Sequence, residues 1–385
     1  MAACRTARHL LFVVSLATYS LSQDVAQHSS LAAVAAPEKI SLSEVSAVEV
    51  PSLPAESIGA PLLCDRDGRI IFRLATPESG VEDPVSVSKD GKTVVRFARE
   101  KINDIPRPVL LSVFLLGSEV YILTRGSAPL GYETKLRTPT GEVVSQPASK
   151  PGTWVAHFER DGNYVGAVRL DIPFKPLQFG VFENGDFLVA GAEPSTDEPR
   201  VAIVASNGQL RRTVELKGDV HVQNEPVTSS KDKEKDAIAL PRLSPLGSAV
   251  PSLFNAVHTS QIASDGPILL LFRPMSGPVF SVSPSGEVGI HRLSVEANNR
   301  LYTIKAAGNS WIVEFLHDVP GSAAVELSTY AFDPDSGAML REYFFSTDIG
   351  WGLACTDGDE FTFIAANQKT NTLRLVKLAP AAKQN

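Results

Sequence analysis

The chain has 385 residues, of which 43% are apolar and 21% charged, with a net charge of -7. These are values of a folded protein and exclude a disordered one. The length is near the limit for one ordinary core, so the chain needs several domains or one repeat-built domain. No basic stripe or Lys/Arg-dominated run is present, which excludes a nucleic-acid-binding face.

The N-terminus, MAACRTARHLLFVVSLATYSLSQ, has Arg5 and Arg8 ahead of a short apolar run, Leu10 to Ala17, and small residues up to Ser22. This pattern predicts a secretory signal peptide over 1–22 and a secreted or periplasmic protein. The alternative is an uncleaved anchor, but the run is too short to span a bilayer. No later stretch reaches about 18 apolar residues, so no transmembrane helix is expected. Residues 23–43 read as a flexible leader. SEVSAVEVPS, from Ser43, alternates loosely enough for an edge strand.

From there the chain repeats one signal: a Gly, usually after Asp or Asn, followed by a β-rich run. The glycines are 68, 91, 117, 141, 162, 185, 208, 266, 286, 308, 337 and 358. Asp-Gly and Asn-Gly supply the positive φ that tight hairpins between twisted strands need. Most neighbours in the series are 20 to 29 residues apart, but Gly208 and Gly266 are 58 apart. A hairpin about every 22 residues makes a four-stranded unit about every 44, the period of a propeller blade.

Two kinds of hairpin alternate. One has a nearly unbroken apolar second strand, as in RIIFRLA, EVYILT, DFLVAG, PILLLF, WIVEFL and FTFIAA, which predicts burial on both faces. The other alternates, as in VAIVASNGQLRRTVEL, which predicts a half-exposed outer hairpin. Pairing them gives units at about 59–100, 110–171, 175–217, 258–296, 300–346 and 350–378. The second holds an extra hairpin around ETKLRTPTGEVV. The last lacks a fourth strand, which residues 44–51 can supply, closing the ring and removing an open sheet edge. Residues 218–258 are a polar, then Pro-rich insertion, read as a solvated loop or as a cap over a site. Residues 381–385 form a tail. The expected fold is therefore all-β: a six-bladed β-propeller of four-stranded antiparallel blades, closed by an N-terminal strand.

The repeated Asp-Gly strand unit resembles six-bladed propellers of the NHL and YVTN type over about 56–378. No WD dipeptide, YWTD motif or kelch Gly-Gly pair occurs. The resemblance implies an architecture and leaves function open, since such proteins bind protein, sugar or nucleic acid, or act as lactonases and lyases.

Candidate chemistry is sparse. Three apolar strands end on arginine: Arg73 in IIFRLA, Arg125 in YILTRG and Arg273 in LLLFRP. In a propeller these ends share a face, where guanidinium groups can hold an anion; the plain alternative is solvated arginine. His317 in VEFLHD lies near the comparable place, and Trp351 in DIGWGLAC stands at a blade entry, facing either the channel mouth or the core. ENGD and DPDSGAMLRE carry acids, but Gly337 is misplaced for a calcium loop, so Asp186 and Asp333 read as turn residues. No HxH, HExxH, GxSxG, P-loop or GxGxxG motif occurs. No cofactor is expected; a divalent metal in the central channel stays open. Cys64 and Cys355 fall on the first strands of the first and last units, neighbours once the ring closes, where an oxidising compartment permits a disulfide; the alternative is two buried thiols. The expected function is an exported, non-enzymatic, monomeric propeller that binds a small anionic ligand or a protein. The alternatives are a metal-dependent, lactonase-like hydrolase or lyase and a structural envelope module.

Overall fold

The turn glycines set the architecture. All twelve adopt positive φ, between 56° and 88°, a region that L side chains rarely enter. The computed structural model describes residues 36–54, 58–75, 82–137, 141–196, 198–216, 261–272, 278–295, 300–318, 325–346, 352–367 and 369–381. The expected signal peptide, the 218–258 insertion, Arg273 and Trp351 lie outside these residues.

The described chain is almost entirely strand. β1 (Glu38–Pro54) is followed by four antiparallel sheets, each of four strands in chain order. The first holds β2 (Ile58–Cys64), β3 (Ile70–Ala75), β4 (Glu82–Val87) and β5 (Val94–Arg96). The second holds β6 (Val109–Leu116), β7 (Glu119–Arg137), β8 (Val143–Phe158) and β9 (Tyr164–Arg169). The third holds β10 (Lys175–Val181), β11 (Phe187–Ala192), β12 (Pro199–Val204) and β13 (Leu210–Val214). The fourth holds β14 (Gln261–Asp265), β15 (Ile268–Phe272), β16 (Val279–Val282) and β17 (Val288–His291). One eight-stranded sheet takes the rest: β18 (Arg300–Ala307), β19 (Ser310–Asp318), β20 (Val325–Phe332), β21 (Met339–Phe344), β22 (Gly352–Asp357), β23 (Glu360–Asn367) and β24 (Thr372–Pro380), with β1 between β21 and β24.

β1 has two partners. Residues 38–41 run parallel to Arg341–Phe344 of β21, whereas residues 42–54 run antiparallel to β24. The stretch expected as an edge strand thus pairs with the last strand of the chain. It also starts at Glu38, inside the segment read as a leader, because its first four residues find a second partner. The arrangement is propeller-like: the first strands neighbour one another in the cyclic order β2, β6, β10, β14, β18, β22 and back to β2. No described helix is long and apolar enough to cross a membrane.

The second strands carry the burial that their composition predicts. Ile70, Ile71 and Phe72 are buried, and so is every residue of β11. Four of the five apolar clusters among the described residues span neighbouring sheets, and one lies within the eight-stranded sheet; one of the four joins Val50 and Leu53 of β1, Phe72 of β3, Ala354 of β22 and Leu375 of β24. The extra hairpin expected in the second unit is a continuation of β7 and β8. β6 leaves β7 at Arg125, and beyond it β7 pairs only with β8, out to Arg137 opposite Val143.

Contacts between sheets repeat. The turn joining the third and fourth strands of one sheet abuts the last strand of the sheet before it. A Cβ on Gly208 would lie 1.9 Å from the Arg169 carbonyl oxygen, and the Asp171 amide donates to the Gly208 carbonyl at 2.8 Å. Gly337 meets the Arg292 carbonyl in the same way. Gly91, in the turn between β4 and β5, meets Val48 and Glu49 of β1. By this rule β1 serves as the outermost strand of the sheet that precedes β2.

A buried ion pair fastens the first sheet to the second. The Asp65 carboxylate accepts from the Asp67 and Arg69 amides at 3.0 and 2.8 Å and from Arg69 Nε at 2.9 Å. Arg69 also donates to the Ser118 and Arg160 carbonyls, at 2.9 and 2.5 Å, in two turns of the second sheet. Asp186, from the acidic ENGD turn, acts within its own sheet. It is buried and accepts from Asn184, the Ser206 amide and Arg211, so its lone pairs brace the turn. At the seam between the first and last sheets, Cys64 of β2 is bonded to Cys355 of β22, with Cα atoms 5.3 Å apart.

Candidate functional site

The first strands face the axis of the ring, and most are irregular at the same level. Register shifts fall between Gly59 and Leu63 of β2, Leu110 and Ser112 of β6, Pro176 and Gln178 of β10, Leu301 and Thr303 of β18, and Leu353 and Cys355 of β22. A bulge turns backbone groups out of the ladder and re-aims the neighbouring side chains. Those groups need partners, and here charged side chains supply them.

On one side of the axis, Arg73 reaches from β3 to the carbonyl of Leu111, the bulged residue of β6, at 3.4 Å. Beside it lies a cavity of about 110 Å³. Its polar lining is Arg73, Ser112 of β6, Gln178 of β10 and Gln261 of β14; Val113, Phe179 and Ile262 add apolar wall. Ser112 Oγ donates to Gln178 Oε1 at 2.6 Å, which ties two first strands together. A guanidinium, a hydroxyl and carboxamides from four successive sheets thus converge on one small space. Arg73 and the carboxamide N–H groups of Gln178 and Gln261 are donors, whereas Ser112, its proton given to Gln178, offers lone pairs.

The other expected residues are placed differently. Arg125 is half-buried on β7, opposite Val109 and Thr153, and does not line the cavity. His317 lies between Glu326 and Ser328 of the adjacent β20, with both contacts at 3.3 Å, so its ring is held within its own sheet. Among the described residues no group of three His, Cys, Asp or Glu is placed to hold a metal ion.

On the other side of the axis is a charged cluster that no motif announced. Glu314 of β19 is fully buried, and both of its carboxylate oxygens accept from the Leu353 amide at 3.0 Å. Lys305 of β18 donates to the Leu62 carbonyl in the bulge of β2. Gly352 allows this approach: a Cβ there would come within 3.0 Å of Leu62 Cδ1. Lys305 lies two residues from Thr303, which pairs with Glu314, so both charged groups share one face of the sheet. Burial raises Glu314 to about 7, opposed by the Leu353 amide and by Lys305. Burial likewise lowers Lys305 to about 8, opposed by Glu314. Tyr302, the bulged residue of β18, is raised above its ordinary value by burial and by Glu314. The one signal in the sequence was the lone acid within WIVEFL, an otherwise apolar strand.

A carboxyl raised from 4.5 to about 7 holds its proton more tightly folded than unfolded. Its contribution therefore favours folding below pH 4.5 and is lost as pH rises to 7. Glu314→Gln removes this dependence. Urea titrations across that window should show the stability of the variant, relative to wild type, climbing with pH and levelling off above 7. A flat difference would mean that the carboxyl titrates normally.

No family model matches the chain. No curated protein matches it. Among solved structures it is similar to virginiamycin B lyase from Staphylococcus aureus, at 9% identity and a TM-score of 0.40, over 88% of this chain and 100% of that one. A DUF4623 family protein from Bacteroides eggerthii gives 8% and 0.43, over 90% and 77%. The Neurospora crassa Pan2 WD40 domain gives 9% and 0.39, over 89% and 96%. At such low scores these likenesses carry no argument about the site.

Proposed function

We propose that this chain is an exported, non-enzymatic, six-bladed β-propeller that binds a small anionic ligand at the axis. The blade count is supported by the cyclic order of the first strands and by the division of the eight-stranded sheet at β1 into two sets of four. Export is supported by the N-terminal pattern and by a disulfide, which persists in oxidising compartments. The observation that carries the binding reading is the cavity, where Arg73 meets polar side chains from three neighbouring first strands. Guanidinium is the group best fitted to carboxylate, sulfate and phosphate geometry, and the volume suits an ion of a few heavy atoms.

Calorimetric titration with sulfate, phosphate, acetate and oxalate tests this. At least one should bind, and Arg73→Ala should weaken that binding by about 10- to 100-fold, the worth of a hydrogen bond to a charged group. Silence from all four ions, or equal affinity in the variant, would remove the reading.

A further inference from the structure

The Arg73 cavity holds one acceptor among its donors, and that acceptor selects the ion. Ser112 and Gln178 each directly follow a bulge, in β6 and β10, which aims both side chains at the same space. Ser112 is buried, and its Oγ lies 2.6 Å from Gln178 Oε1. A carboxamide oxygen can only accept, so the hydroxyl gives it its single proton. Ser112 then keeps lone pairs and no donor for anything else in the cavity. Arg73 is a donor only, and Gln178, its oxygen turned to Ser112, has its N–H groups left.

An anion made only of acceptors would set an oxygen against the Ser112 lone pairs. An anion that carries a proton can donate it there. We propose that the cavity selects free hydrogen phosphate, which accepts and donates at once, and rejects sulfate, its match in shape. This rests on the reading that Arg73 marks the binding site. The same lone pairs disfavour esterified phosphate. A phosphomonoester loses its last proton at about pH 6, so at pH 8 it brings acceptors alone, whereas free phosphate still holds one proton. The ligand is therefore the inorganic ion, not a phosphoserine, a nucleotide or a lipid headgroup.

Calorimetric titration of the full-length protein at pH 8 tests this, with inorganic phosphate, sulfate, arsenate, selenate and glycerol 3-phosphate as probes. Phosphate and sulfate are then dianions of one shape that differ by a proton, and arsenate and selenate repeat the comparison with larger ions. Phosphate should bind about 10- to 100-fold more tightly than sulfate, the cost of facing a buried acceptor with another acceptor. Arsenate should exceed selenate likewise, and glycerol 3-phosphate should bind no more tightly than sulfate. Ser112→Ala deletes one atom; it should bring phosphate to within about threefold of sulfate without weakening sulfate. A serine that merely steadies Gln178 would instead weaken both ions alike and keep their ratio. Sulfate binding as tightly as phosphate in the wild type, or a preference that survives in Ser112→Ala, overturns the proposal and leaves the cavity an anion site. Silence from every probe removes the site itself, and the proposal with it.

Discussion

Changing both Cys64 and Cys355 to Ser is expected to lower the unfolding free energy by about 5 kcal/mol, since closing a loop of this length restricts the unfolded chain strongly. The bond spans 291 residues of sequence, most of the described chain. The fold itself should survive, because β1 still pairs with β24 and Val50, Leu53, Phe72 and Leu375 still pack across the seam. Urea denaturation of the double variant and of wild type, both followed by far-ultraviolet circular dichroism, gives the difference. Wild type in reductant should approach the variant. A loss under about 1 kcal/mol would show that the unfolded chain is little restricted by the bond.

Arg69→Met should be nearly as damaging, at about 3–5 kcal/mol, because it strands a buried carboxylate. Asp65 would lose its ionic partner while keeping only amide donors, and the Ser118 and Arg160 carbonyls would lose theirs. Pairing it with Asp65→Asn should restore part of the loss, since the stranded charge is then gone. Thermal melts of the two singles and the double settle the sign. If the double is as unstable as the sum of the singles, the pair contributes nothing as a pair.

The sequence made the turns legible because positive φ is a chemical demand that few residues meet. All twelve predicted turn glycines carry it. The turn before β24 escaped notice because Asn371, not Gly, takes the left-handed conformation there, at φ 52°. The apolar second strands were legible for a similar reason: burial on both faces leaves no room for alternation. The site was much less so. Arg73 was found because an arginine at the end of an apolar strand is conspicuous, but its cavity partners are not. Ser112, Gln178 and Gln261 are ordinary residues in their own strands, and only the bulges and the ring bring them together. Bulges leave no composition signal, so the carbonyls that Arg73 and Lys305 meet could not be foreseen. Asp65 and Arg69 flank the Asp-Gly step of the first turn, and nothing in that local sequence signals that Arg69 also holds two carbonyls of the next sheet.

The pairing of β1 with β24 has a topological consequence. Leu42 stands opposite Pro380, and the Ala381 amide donates to the Ser41 carbonyl at 2.8 Å. The two chain segments therefore meet side by side, where each of the other sheets has a tight turn. A short peptide linking Pro380 to Leu42 would turn that non-covalent junction into one more hairpin. The repeat would then have no privileged starting point, and the polypeptide could be opened afresh at an exposed turn such as the one at Gly141. The present order of the strands is one of several equivalent ways to thread the same closed circle.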